Sequence, residues 1–197
     1  MFFRKTTEDN QIQEALPLEL CYAKTVQDTD GTVVFGLPVL YHCIIVGEVA
    51  RALLSYFPQS IRNIIFPSGV TLIAACHDVG KVNPMFMKKI YQAVEEVEIS
   101  QYPALKDARI DLEKSTGYHA GVSQVTFQHD YPYIASIVGR HHGANPKIAL
   151  LPDDPILGGK PWFDCRQQLF KQLQEYFQET FPTIDSFSHA SAIAGLV

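Results

Sequence analysis

Histidines are the residues of this chain whose types and spacing point most directly to chemistry. The sequence contains seven of them, and four segments place histidines in or beside apolar helical patterns. A buried imidazole needs a hydrogen-bond partner or a metal ion, because an unpaired polar group costs free energy. Imidazoles combined with a carboxylate suit Fe, Mn, Co, Ni or Zn better than Ca²⁺, which prefers oxygen ligands. The candidate ligands, in chain order, are His42, His77, Asp78, His119, His141 and His142.

The strongest single segment spans residues 75–81 and contains His77 next to Asp78. A charged aspartate inside an apolar run is difficult to explain by packing alone. Neighbouring side chains on a helix point about 100° apart, so His77 could bind one ion while Asp78 reaches between two. Lys81 lies three residues later on the same helix face, where it could pair with Asp78 or contact a phosphate. The alternative is a buried ion pair between Asp78 and Lys81 beside a structural histidine.

Two adjacent histidines, His141 and His142, are flanked by Gly139 and Gly143. Adjacent imidazoles point in different directions and can serve as two ligands, while the glycines permit close approach of the backbone. The alternative is a solvated helix end, where histidine interacts favourably with the helix dipole.

Two further histidines lie near predicted helix starts. His119 is followed by the small residues Ala120 and Gly121, which would let another helix approach closely. His42 lies near the start of a long apolar helix. Either could have no metal, His119 as an ordinary first-turn residue and His42 as a core histidine bonded to a backbone carbonyl. The order of all four segments together is what favours a shared metal site.

Helices are the elements that must position these side chains. Apolar residues recur at helical spacing through most of the chain, and Pro58 ends the first long run. The dipeptide Asp30-Gly31 signals a short hairpin, and residues 144–161 are predicted to be a loop. The pattern predicts an all-α bundle. The predicted helices span residues 40–57, 70–79, 84–98, 118–128, 134–142, 164–181 (capped by Asp164) and 188–197.

The composition bounds the class of protein. The chain has 197 residues, 47% hydrophobic and 19% charged, which suits one folded domain over residues 1–197. Its formal net charge of −5 argues against a protein that coats duplex DNA, since phosphate binding requires surplus cations. Bound divalent metals would add positive charge locally. The four cysteines form no CxxC pair, so we expect no disulfide scaffold and a reducing cytoplasm.

The chain ends carry two further expectations. The sequence has no recognisable signal peptide and no apolar run long enough to span a bilayer, so no membrane partner is expected. The last ten residues form an apolar helical pattern that stops without a cap. We therefore expect these 197 residues to be the N-terminal fragment of a longer protein.

Six short motifs occur in order along the chain: YAKT (22–25), LYHC (40–43), ACHDVGK (75–81), NPMF (83–86), YHAG (118–121) and GRHHG (139–143). This order resembles the HD superfamily of metal-dependent phosphohydrolases. Within it, the chain resembles the HD nuclease domain of the type I CRISPR-associated nuclease-helicase. The HD pair followed by Gly80-Lys81 is shared across the superfamily, whereas the doubled histidine between glycines is more specific to the nuclease branch. The resemblance covers roughly residues 20–145.

The resemblance implies an HD-domain bundle that holds two adjacent divalent transition-metal ions. Asp78 and Lys81 are the catalytic residues that it implies, with Asp78 bridging the ions and Lys81 lying behind the ligands or facing a phosphate. It also implies one more aspartate for the first ion, expected beyond Val197. The first ion would be held by His42, His77 and Asp78, and the second by His119, His141, His142 and Asp78.

The resemblance further implies a metal-dependent nuclease that cleaves single-stranded DNA in CRISPR antiviral defence. A helicase domain of the same or an associated chain would unwind the strand, and the CRISPR surveillance complex (Cascade) would recruit the enzyme. Two alternatives stay open at this point. One is an HD phosphohydrolase that acts on nucleotides or cyclic nucleotides, and the other is a degenerate HD domain that serves as a docking module or metal-stabilised scaffold.

Overall fold

Helices dominate the fold, and the predicted all-α class is confirmed. The computed structural model describes residues 14–143 and 146–195. Its α-helices are α1 (Val39–Ser55), α2 (Gln59–Ile65), α3 (Val70–Ala75), α4 (Pro84–Ala93), α5 (Pro103–Lys106), α6 (Tyr118–Phe127), α7 (Pro132–Val138), α8 (Gly159–Phe177) and α9 (Phe187–Ala194). Short 3-10 helices lie at Leu18–Leu20, Cys76–Lys81, Ile99–Gln101, Ile110–Leu112 and Pro155–Leu157. Strands β1 (Thr25–Gln27) and β2 (Val33–Phe35) form an antiparallel hairpin in which Thr25 pairs with Phe35.

Helix α3 lies in the core, and all of its residues are buried. Helix α1 packs closely against it, because a Cβ at Gly47 would lie 3.0 Å from the Ala75 side chain and would overlap the Phe177 ring of α8. The 3-10 helix Cys76–Lys81 follows α3 directly and is buried over most of its length. The segments that carry His42 and His77 are therefore held side by side.

The hairpin and α1 match the elements predicted from the sequence. Gly31 adopts a φ of +90° at the hairpin turn, a conformation that glycine reaches without steric cost. Tyr22 stacks on Phe35 with ring centroids 4.3 Å apart, and the Tyr91 hydroxyl donates to the Leu20 carbonyl at 2.8 Å. These contacts fasten the segment before α1 to helix α4.

Two helices that were predicted to carry candidate ligands end several residues before the predicted positions. The predicted helix 70–79 stops at Ala75 and gives way to the 3-10 helix, in which Asp78 has φ −105° and ψ 15°. The predicted helix 134–142 stops at Val138, so His141 and His142 lie in the turn that follows α7. Apolar periodicity misses both ends because tertiary contacts override local propensity there.

Other predicted boundaries are also wrong. The predicted helix 84–98 ends at Ala93. The predicted helix 164–181 begins at Gly159, so Asp164 is an interior residue, and its carboxylate accepts from Lys160 at 2.6 Å. Proline is tolerated in the first turn of a helix, and Pro161 accordingly lies inside α8 instead of ending the loop.

Helix α8 closes the core and fixes the exit of the 3-10 helix Cys76–Lys81. Its residues Leu169 and Leu173 are fully buried. Arg166 is also fully buried, and it donates to the Val82 carbonyl at 3.1 Å and to the Pro152 carbonyl. Burial lowers the pKa of Arg166 to about 10, so the guanidinium stays charged at neutral pH. It ties the residue after the 3-10 helix to the loop before α8.

The C-terminal pattern predicted as helical forms α9, in which Ile193 is fully buried. Residues 196 and 197 lie outside the described part. Over residues 14–143 and 146–195, no helix combines the length and apolar character needed to cross a bilayer. The four cysteines are free and buried.

Candidate metal centre

Asp78 is the residue around which the candidate ligands are arranged. It is 3% exposed, and its two carboxylate oxygens face different groups. Oδ2 lies 2.7 Å from Lys81 Nζ, 2.8 Å from His42 Nε2 and 3.0 Å from His77 Nε2. We call His42, His77 and Asp78 the first cluster; their ligand atoms lie within 4.8 Å of one another.

The other oxygen of Asp78 faces a second set of imidazoles. Oδ1 lies 3.2 Å from His119 Nε2 and 3.3 Å from His141 Nε2. His142 Nε2 lies 2.9 Å from His119 Nε2. These three histidines form the second cluster, whose ligand atoms also lie within 4.8 Å of one another. Asp78 thus lies between two clusters, each of which could hold a metal ion.

Backbone carbonyls determine which ring nitrogen carries the hydrogen in two of these histidines. His77 Nδ1 lies 2.9 Å from the Ala74 carbonyl oxygen, and His141 Nδ1 lies 2.6 Å from that of Val138. Because a carbonyl only accepts hydrogen bonds, each Nδ1 must carry a proton and donate it. In the neutral rings, each Nε2 then presents a lone pair toward the Asp78 carboxylate. Metal-binding histidines commonly donate from the far nitrogen in this way.

A lone pair that faces a carboxylate is repelled unless a cation or an extra proton lies between them. Asp78 Oδ1 is buried and forms no hydrogen bond, although two imidazole nitrogens lie within 3.3 Å of it. A buried polar atom without a hydrogen bond calls for an explanation, and an ion is one of the few available. Nitrogen donors combined with one carboxylate suit a borderline transition metal. The residues present therefore fit divalent cations on both sides of Asp78.

The electrostatics of the centre favours the metal-binding forms of its residues. Burial alone would raise the pKa of the Asp78 carboxyl, but contacts with four imidazoles, of which His119 contributes most, hold that pKa well below its usual range. Burial, assisted by the neighbouring His141 and His119, lowers the pKa of His142. At neutral pH the centre thus offers an ionised carboxylate and a neutral imidazole at these two positions.

A close approach of α6 to the 3-10 helix Cys76–Lys81 brings the two clusters together. A Cβ at Gly80 would overlap the His119 carbonyl oxygen and the Ser123 backbone nitrogen, so glycine is required there. The buried Ser123 hydroxyl accepts from the Gly80 amide and donates to the His77 carbonyl, both at 2.8 Å. Ser123 is thus a positioning residue, and its one signal in the sequence is a hydroxyl within an apolar helical run.

Asn83 fixes the other end of the same 3-10 helix. Its side-chain amide donates to the Gly80 carbonyl, and its Oδ1 accepts from the Phe86 amide at 3.0 Å. It therefore caps α4, whose first turn contains Pro84. The predicted start of a helix at residue 84 is confirmed, and the cap also stabilises the backbone that carries Asp78.

Lys81 lies at the edge of the centre, with its side chain 13% exposed. Its ammonium contacts Asp78 and lies 5.6 Å from the centre of the Phe86 ring. The pairing of Lys81 with Asp78, one of the two possibilities considered from the sequence, is present in this structure. A cation at this position offsets part of the charge of the buried carboxylate.

We compared the chain with models of known protein families, and the result agrees with an HD pair placed between further histidines. Residues 22–197 match the family model described as Cas3, HD domain. The chain belongs to this family. Comparison with the curated proteins and with the solved structures gives no match. As a Cas3 HD domain, the chain is a CRISPR-associated, metal-dependent nuclease of the HD hydrolase type, and the resemblance inferred from the order of its motifs is confirmed.

Proposed function

We propose that this Cas3 HD domain hydrolyses phosphodiester bonds of single-stranded DNA with the help of two divalent transition-metal ions. The observation that supports this most strongly is the position of Asp78, whose two oxygens face separate histidine clusters. Two cations clamped a few ångströms apart are a recurring arrangement in phosphodiester hydrolysis. The proposed ligands are His42, His77 and Asp78 for the first ion, and His119, His141, His142 and Asp78 for the second.

The bound cations would supply Lewis-acid polarisation of the phosphodiester and a water molecule of lowered pKa. The chain's own residues would orient this chemistry. Two backbone carbonyls keep the Nε2 atoms of His77 and His141 directed toward the centre. The ionised Asp78 offsets the positive charge that two cations would concentrate in one place. Ser123 holds the backbone of His77 against α6.

We propose that Lys81 contacts the substrate phosphate. Its ammonium shares Asp78 Oδ2 with His42 and His77. A cation that occupies this oxygen would release the ammonium, which could then pair with a phosphate oxygen. Such a charge-assisted contact would hold the strand in position without taking part in metal binding.

The preference for single strands and the partners belong to the same proposal. A net charge of −5 supports a division of labour in which this domain holds the strand locally and a helicase supplies most of the grip. We propose that residues 1–197 form one nuclease domain of a longer nuclease-helicase, or work with an associated helicase chain. The CRISPR association of the family supports recruitment by the surveillance complex, Cascade, in the cytoplasm.

A second candidate function is hydrolysis of nucleotides or cyclic nucleotides. One observation favours it: a cavity of about 540 Å³ borders His119 and His142, and ligand pockets commonly have volumes in this range. A mononucleotide held there would lie beside the second cluster. The two candidates differ in whether the substrate is a polymer.

The test compares polymeric DNA with nucleotide substrates directly. The purified protein is supplied with Mn²⁺, Ni²⁺, Co²⁺ or Fe²⁺ and incubated with circular single-stranded DNA, duplex DNA, and a panel of mononucleotides and cyclic nucleotides. We expect metal-dependent cleavage of the circular single strand and much slower reaction of the other substrates. Hydrolysis of nucleotides with intact DNA would favour the second candidate. Bound metal without any hydrolysis would favour a scaffold.

A matched pair of histidine variants controls for contaminating nucleases. His119→Ala removes a proposed ligand and should abolish cleavage. His129→Ala removes a histidine whose side chain is 89% exposed and should leave cleavage unchanged. Equal activity of the two variants would show that the cleavage does not come from this centre.

A further inference from the structure

One cavity adjoins the second cluster and has a wall unlike the rest of the centre. Its volume is about 540 Å³, and Phe86, Tyr118, Ala120 and Pro146 form its apolar side, while His119 and His142 lie at its edge. A cavity of about 610 Å³ elsewhere lies against residues 14–20 and 101–107 and contains none of the candidate ligands. The cavity beside the second cluster could therefore hold a group attached to a phosphate at the metal centre.

Tyr118 is held at this cavity by an unusual backbone conformation. Its φ is +57°, in the left-handed region that bulky residues rarely adopt. Gly117 before it has a φ of +68°, and a Cβ there would lie 2.7 Å from the Pro146 side chain. The Tyr118 amide donates to the Glu113 carbonyl at 2.9 Å and closes the turn. Strained residues of this kind cluster at ligand sites.

The Tyr118 side chain is also available to a ligand. It is 48% exposed and lines the cavity. It directly precedes His119, a proposed metal ligand, and both residues line the cavity. An exposed aromatic ring next to a phosphodiester centre is the kind of surface on which a nucleobase stacks.

The remaining wall combines an aromatic face with a polar rim. The Phe86 ring packs edge-on against His119 with centroids 5.5 Å apart. Lys89 Nζ pairs with the Glu113 carboxylate at 2.8 Å and lies 5.7 Å from the Phe86 ring centre. A nucleobase has a matching construction, with apolar faces and a rim of hydrogen-bonding groups.

We propose that this cavity binds the nucleobase of the nucleotide next to the scissile phosphate, with Tyr118 as its stacking platform. The inference rests on the proposed phosphodiesterase function and adds a substrate subsite to it. A base inside a duplex is stacked and paired, and extruding it costs free energy. A cavity that must receive a base therefore selects unpaired strands, independently of any helicase.

The experiment uses short single-stranded oligothymidylates that contain one cleavable phosphodiester, all other linkages being methylphosphonates. One substrate carries thymine on both sides of the cleavable linkage. Two others carry an abasic residue on its 5′ or its 3′ side. The kcat/KM for each is measured with Mn²⁺ for the wild-type protein and for variants. The ratio between thymine and abasic substrates cancels changes that affect catalysis in general.

We expect the wild type to prefer thymine over the abasic residue on one side of the linkage by about tenfold, the scale of base–aromatic stacking. Tyr118→Asn should reduce this ratio toward one, since asparagine tolerates a positive φ but has no ring. Tyr118→Phe should retain it. Tyr176→Ala removes a tyrosine of similar exposure, 52%, on α8 and should also retain it. Metal content is measured for every variant.

A wild type that cleaves all three substrates equally, or a Tyr118→Asn variant that keeps the full ratio, would overturn the subsite. Failure of the proposed function gives a different result, in which the metal-loaded wild type cleaves none of them. In that case, binding of the same oligonucleotides, measured by fluorescence anisotropy, tests whether the subsite exists. Tighter binding of thymine that depends on Tyr118 supports the subsite, and equal binding refutes it.

Discussion

The two histidine clusters share one carboxylate but differ in their surroundings. The first cluster takes its ligands from α1 and from the buried 3-10 helix Cys76–Lys81, where His77 is 8% exposed. The second takes its ligands from the start of α6 and from the turn after α7, and there His142 is exposed. The second cluster also borders the cavity that contains Tyr118.

This difference indicates separate tasks for the two halves of the centre. Two of the three residues of the first cluster, His77 and Asp78, are buried, so an ion there should bind tightly and persist. The second cluster opens to solvent, so an ion there should exchange more readily and meet the substrate. Asp78 couples the halves because each uses one of its oxygens.

Replacement of Asp78, whose carboxylate both clusters share, should have the largest effect on metal content and cleavage. Asp78→Asn leaves a neutral amide between the clusters, so we expect both ions to be lost and cleavage to fall about a thousandfold. Metal content is measured by mass spectrometry beside the cleavage rate. Asp130→Asn, at a carboxylate that is 72% exposed, is the matched control and should change neither. Two retained ions in Asp78→Asn would contradict the coupling.

Single-ligand variants should separate the two clusters. His42→Ala should lose the first ion and His142→Ala the second, each lowering cleavage about a hundredfold. Because two of the proposed ligands of the first ion are buried, only His42→Ala should also lower the melting temperature of the metal-loaded protein by several degrees. Equal melting temperatures would remove the distinction between a buried and an open half.

Substitution of Lys81 should weaken the binding of substrate and leave the bound metals in place. Lys81→Ala should keep the metal content of the wild type and raise KM for single-stranded DNA about tenfold, since it removes a charged contact to phosphate. Lys160→Ala, at a lysine that is 72% exposed on α8, should leave KM unchanged. Loss of metal in Lys81→Ala would assign the lysine to the metal centre instead.

The hydrogen bonds that join the clusters should have the smallest effect on cleavage. Ser123→Ala leaves the Gly80 amide without its partner, so the free energy of unfolding should fall by about 1–3 kcal/mol, as measured with urea. We expect cleavage to fall only a few-fold, because the ligands themselves remain. Ser115→Ala removes an exposed hydroxyl bonded to the Leu112 carbonyl and should alter stability little. Equal stability of the two variants would show that Ser123 does not join the clusters.

The helical class and the candidate pair His77 and Asp78 could be predicted from the sequence because their signals are local, whereas the other candidate ligands depended on the order of all four segments. Apolar spacing predicts α1, and the turn at Asp30-Gly31 predicts the hairpin. His77 and Asp78 stand out because polar groups within an apolar run need partners. Each of these signals lies within one short segment.

Contacts between distant segments could not be predicted in this way. The 3-10 helix that carries Asp78 is held by Ser123, which bonds to Gly80 across 43 positions of the chain. Arg166 on α8 bonds to the Val82 carbonyl across 84 positions. Neither partnership has a local pattern, so the early end of α3 escapes periodicity.

Anomalous diffraction from crystals grown with Mn²⁺ would show whether paired cations lie on either side of Asp78, as we propose. We expect two anomalous peaks, one against His42 and His77 and the other against His119, His141 and His142, with Asp78 between them. A single peak, or manganese bound only at other residues, would contradict it.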